Sequence, residues 1–154
     1  MIMLNGLTDK LAAELLLLAK SWLSPPKMET TGSGLHSEGY DPTQKAFVLA
    51  GRDASAPSAL GMTLRATKES PVMNPVILVR NWGSSEAKIE IDGKPAPPGK
   101  DVRAGRIHGL ESEDLVLWLR MESTTPVRIS VSPVKARSIF PRRIGRLDPQ
   151  GKET

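Results

Sequence analysis

The residues best equipped for chemistry fall in one polar run, His36, Glu38 and Asp41, with Tyr40 among them. Two carboxylates and an imidazole on a loop are donors a metal cation accepts, and binding residues are often carried on loops held by a rigid scaffold. The run lacks the regular alternation of oxygen ligands found in a dedicated calcium loop, so a solvated loop with one packed tyrosine is the simpler reading. A second group, His108 with Glu111, Glu113 and Asp114, lies in a turn ahead of a strand, where solubility accounts for the charge. Two histidines on separate loops and no cysteine leave little for a nucleophile and its base. Ser37 adjoins His36, but sequence neighbours seldom form a catalytic pair, and no Gly-x-Ser-x-Gly elbow is present. Gly32-x-Gly34 neither follows a strand nor opens a helix, as a phosphate loop must. Paired carboxylates for glycoside hydrolysis could come from any two of 17 acidic residues, and spacing does not decide the matter.

Aromatic residues are the other candidates, because a flat indole face takes a sugar ring by apolar contact while its rim hydrogen-bonds. Trp22 belongs to a helical stripe and reads as packing. Trp118 alternates with Leu117 and Leu119 and so shares a face with Val116 and Arg120; core packing is the plainer expectation for it. Trp82, at the strand end Arg80-Asn81-Trp82-Gly83, reads first as an anchor and second as an exposed platform. Trp82, Trp118 and Tyr40 are therefore the candidate ligand contacts, and His36, Glu38 and Asp41 the candidate metal ligands. No cofactor is implied.

The elements that must position these residues are short. Proline and glycine number 13 each, which points to many turns. Residues 8–23 read as a helix: Thr8 can cap it, Asp9 suits its positive end, and Leu11, Leu15, Leu18 and Trp22 recur at helical steps. Pro25 and Pro26 end it. Residues 27–45 are polar and turn-rich and read as a loop, with a frayed strand as the alternative. Strands follow at 46–50 and 62–66. The unbroken Val76-Ile77-Leu78-Val79 suits a central strand covered on both faces. Ile89 and Ile91 alternate with Lys88 and Glu90 ahead of Asp92-Gly93, the residue pair of a type I′ hairpin. The return limb is broken by Pro95, Pro97 and Pro98. Strands at 101–107, 115–121 and 127–131 complete the set.

This spacing, with no helix between residues 46 and 132, predicts a mainly β fold: an antiparallel β-sandwich, Greek-key or jelly-roll-like, with one N-terminal α-helix. The domain plan is a helix in 1–26 packed on the sheet or on a partner, a loop in 27–45, the sandwich in 46–134 and a basic tail in 135–154.

Charge narrows the partners. Six of the 21 basic and two of the 17 acidic residues lie beyond residue 134, which leaves fifteen of each before it. The net charge of +4 therefore belongs to the tail, and the body offers a polyanion nothing. In the tail Phe140 interleaves Arg137, Arg142 and Arg143, but no nucleic-acid module surrounds it, so nucleic acid is not an expected partner. The apolar stretch 11–19 is interrupted by Glu14 and is shorter than the ~20 residues that span a bilayer, so no membrane is expected either. No basic segment precedes it, so it does not read as a secretion signal, and localisation stays open.

The stretch SPVMNPVILVRNWG and the stretch IEIDGKPAPPGKDVRAGRIHGLESEDLVLWLRMESTTPVRISV resemble the β-rich C-terminal segments of large bacterial proteins associated with polysaccharide breakdown. The elements that carry the likeness are Asn81-Trp82-Gly83, Asp92-Gly93-Lys94, Gly99-Lys100-Asp101 and the LVLWL strand, all within residues 70–131. The resemblance implies a non-catalytic accessory sandwich beside a catalytic domain, with polysaccharide or that domain as partner, and it supplies no catalytic residue. The alternatives are a structural or protein-docking module and, third, a small enzyme or metal site on the 36–41 loop.

Overall fold

A computed structural model describes residues 11–32, 34–51, 59–110 and 112–134. It is mainly β, a two-layer sandwich with one helix at its N-terminal side. The first sheet has the order β1 (Lys27–Thr31), β4 (Leu60–Arg65), β12 (Val127–Val134), β7 (Glu86–Ile91) and β8 (Lys94–Pro95). The second runs β2 (Leu35–Asp41), β3 (Ala46–Gly51), β6 (Val76–Arg80), β10 (Glu113–Leu119) and β9 (Val102–His108). Two short strands, β5 (Val72–Met73) and β11 (Glu122–Ser123), pair at one end.

Two expectations are corrected. Residues 27–45 are not a loop: they contribute β1, an edge of the first sheet, and β2, an edge of the second. Their polar composition is that of edge strands with water on one side, which composition alone does not separate from a loop. The sandwich is also not wholly antiparallel, since β3 and β6 run parallel with Val48 opposite Leu78. A parallel pair needs a long crossover, and here β4 in the opposite sheet supplies it instead of a helix.

The core lies between the sheets and follows the period of two. Phe47 and Leu49, Ile77 and Val79, and Leu115, Leu117 and Leu119 face inward from the second sheet. Leu60, Met62 and Leu64 face them with Val127, Ile129 and Val131. Each such side chain contributes about 1.5–3 kcal/mol on burial. The run 76–79 is covered on both faces: Ile77 and Val79 enter this core, while Leu78 joins Ala46 and Val48 in a second, outer cluster with Val76 and Val116 against it.

The Asp92-Gly93 turn has the geometry that the residue pair predicts, with φ of 49° at Asp92 and 76° at Gly93. Ile89 is buried, Ile91 packs on the core, and Lys88 faces out. Asp92 also ties the turn to β12, because its N–H donates to Arg128 O and its Oδ1 accepts from Arg128 N, each at 2.8 Å.

The helix, α1 (Ala12–Leu23), begins later than the periodicity suggests. Leu11 is extended, with φ −62° and ψ 148°, and its N–H donates to Glu14 Oε2 at 3.0 Å, so the cap sits there. Thr8 and Asp9 lie outside the described residues. The helix packs at the end of the sandwich beside β5, where Ser21 is buried and Lys45 Nζ stands 3.7 Å from the Trp22 ring centroid.

Candidate functional site

The bulge in β2 between Ser37 and Gly39 decides what the 36–41 run can do. Before it, His36 lies opposite Ala50 and is exposed; after it, Tyr40 lies opposite Phe47 and Asp41 opposite Ala46. Five residues at ~3.3 Å each set His36 and Asp41 roughly 15 Å apart along the strand. Glu38, at the bulge, is engaged by Arg80, whose NH1 lies 3.2 Å from its Oε2. Asp41 is occupied by its own turn: Oδ1 accepts from Thr43 N at 2.8 Å and Gln44 N at 3.3 Å, and Oδ2 from Gln44 Nε2 at 3.0 Å. Those backbone donors hold its carboxyl below the ordinary aspartate range. The three expected metal ligands are thus not brought together. Among the described residues no three His, Cys, Asp or Glu side chains converge on one point.

Tyr40 is turned inward, against the edge of Phe47 with ring centroids 5.1 Å apart and planes at 63°. Burial raises its phenol above the ordinary range, with a smaller contribution from Asp41. It is a partly buried residue packed against the core. Trp82 is likewise an anchor: it is 2% exposed, and its Nε1 donates to Ser85 O at 2.8 Å.

Trp118 lies elsewhere. It pairs with Val76 on one side and Arg103 on the other, half-buried on the outer face of the second sheet and not in the core. The expectation of core packing for Trp118 is therefore corrected: Leu117 and Leu119 take the inward side of the strand and leave the indole the outer one. Arg103 stands over the indole with its guanidinium carbon 5.3 Å from the ring centroid. The register lays out this face in rows: Asp41, Ala46, Val76, Trp118 and Arg103, then Gly39, Val48, Leu78, Val116 and Gly105. The two glycines stand at the margins, and a Cβ on either would meet nothing within 4 Å. Chemically this is an apolar strip with an aromatic ring near one edge and ionic groups around it.

The second acidic group serves structure. Glu113 accepts from Arg106 NH1 at 3.0 Å and lies 3.1 Å from His108 Nδ1. Asp114 Oδ1 accepts from Asn81 N at 3.0 Å, and Arg106 also donates to Gly83 O and Ser85 O. Glu111 lies outside the described residues. Sequence reasoning missed Arg103 and Arg106, since their partners are fixed by cross-strand register, which no local pattern records.

Comparison with known families, curated proteins and solved structures gives no match to this chain.

Proposed function

We propose that the chain is a non-catalytic accessory β-sandwich that contacts polysaccharide through the outer face of its second sheet, with Trp118 as the ring-stacking residue. The observation that supports this reading is the placement of Trp118, half-buried outside the core and overlaid by Arg103. Indole in that setting offers apolar area for a sugar ring, and the adjoining Arg103 offers hydrogen bonds to hydroxyl groups. The half-buried Val76, paired with Trp118, adds apolar area beside it.

Affinity electrophoresis against a panel of polysaccharides tests it. Retardation by at least one polysaccharide is expected for the natural chain, and Trp118→Ala should weaken it tenfold or more with little change in melting temperature. A panel that retards neither protein removes the reading.

A further inference from the structure

On one side the second sheet ends in β9, which among the described residues pairs only with β10 and does so without a shift in register. Arg120 N donates to Asp101 O at 2.7 Å, one step beyond the Val102–Leu119 pair, and in an antiparallel ladder the bonded pairs alternate. Arg103, Gly105 and Ile107 therefore direct their backbone groups to β10, while Val102, Ala104, Arg106 and His108 point theirs away from it. Val102 O keeps this parity by accepting from Gly99 N at 2.7 Å, which closes that end of the edge. From Ala104 to His108 the edge is open: among the described residues the outward groups of Ala104, Arg106 and His108 meet no backbone partner.

The other sheet edges carry guards against pairing. β2 is bulged between Ser37 and Gly39, β8 is two residues long and ends in Pro95, and β1 carries Lys27 and Glu29. β9 has neither bulge nor proline, and both its arginines are drawn back onto their own subunit. The Arg103 guanidinium lies over Trp118, and Arg106 is bound to Glu113 Oε2, Gly83 O and Ser85 O. An edge in that state is a template for another strand.

We infer that the occupant is β9 of a second copy, paired antiparallel about a two-fold axis at Arg106. Ala104 then lies opposite His108 of the partner subunit, Gly105 opposite the partner's Ile107, and Arg106 opposite the partner's Arg106. This register uses every outward group of the open edge and leaves Gly99 at Val102. It is also complementary in shape. Ile107 is 52% exposed, while Gly105 has open space where a side chain would stand, so each Ile107 covers the glycine across the axis. The like-charged contact at the axis is relieved because each Arg106 guanidinium is neutralised 3.0 Å away by its own Glu113. Pairing of this kind joins the two five-stranded second sheets into one continuous sheet, with Trp118 and the partner's Trp118 on the same face.

Sedimentation equilibrium of the full chain, from micromolar to millimolar concentration, tests this. The natural chain should be a reversible dimer. Ala104→Pro, which removes one outward N–H and keeps every ladder bond to β10, should weaken association by about tenfold or more. Two double variants at exposed positions read the register. Gly105→Lys with Ile107→Lys sets like charges opposite each other and should be monomeric, whereas Gly105→Glu with Ile107→Lys sets opposite charges there and should remain a dimer. A monomeric natural chain overturns the proposal. So does a dimer that all three variants leave unchanged, or one that the two double variants weaken equally.

Discussion

Replacing Gly93 with valine isolates a purely conformational cost. Gly93 sits at φ 76°, yet a Cβ built on it would meet no atom within 4 Å. The Cβ itself meets no neighbour, so the penalty is chiefly that of holding a β-branched residue in the left-handed region, about 1–3 kcal/mol. For a domain of this size that lowers the melting temperature by about 4–12 °C. Alanine should cost about 1–2 kcal/mol and asparagine less, because Asn tolerates this region better than other residues with a side chain. The expected order of stability is Gly, Asn, Ala, Val, measured by thermal unfolding at neutral pH. An unchanged midpoint for Gly93→Val, or asparagine as damaging as valine, would refute the reasoning. It would mean that the turn is not what fixes the β7 register and sends Ile89 inward.

Trp82→Ala should be far more severe, about 3–5 kcal/mol, because it empties a buried site and removes one of the two donors to Ser85 O; urea unfolding measures this. Tyr40→Phe should leave the urea midpoint unchanged or raise it, since no hydrogen bond from the buried hydroxyl is seen among the described residues, and a clear loss of stability would expose a partner. The folded state holds the Asp41 carboxyl below its ordinary value, so its contribution is complete above about pH 4 and is lost as the pH falls through the lowered value. Asp41→Asn should thus be less stable than the natural chain at pH 7 and lose less on acidification to pH 3, a comparison that melting curves at the two pH values make directly.

The sequence exposes what repeats locally and hides what depends on pairing. The type I′ turn and the doubly covered strand at 76–79 could be read from residue types alone, because each rests on a local run or backbone preference. The strand 115–119, by contrast, carries apolar residues on both faces, so the expectation of Trp118 in the core picked the wrong one. The strands at 27–31 and 35–41 could not be read that way. Lys27, Glu29, His36 and Glu38 give those segments a loop's composition, and only their pairing with β4 and β3 shows them to be sheet edges. The candidate site divides along the same line. His36, Glu38 and Asp41 are close in sequence, but a one-residue bulge and the partners Arg80 and Thr43 separate their roles. Trp118 gains its interest from Arg103, fifteen positions away and joined to it by register.

The position of β12 has a consequence for the order in which the protein can be made. It is the last described strand in the chain, yet it sits in the middle of the first sheet, bonded to β4 on one side and β7 on the other. During synthesis, at about 5–20 residues per second, every strand of the second sheet leaves the ribosome before it. Until Val127, Ile129 and Val131 arrive, β4 and β7 have no partner between them, and the inner face of the second sheet lacks its cover. Pairing across such separations is slow to form and leaves apolar surface open meanwhile. A nascent chain stalled before residue 127 should therefore bind a holdase chaperone, and release should come only once the C-terminal strand has cleared the exit tunnel.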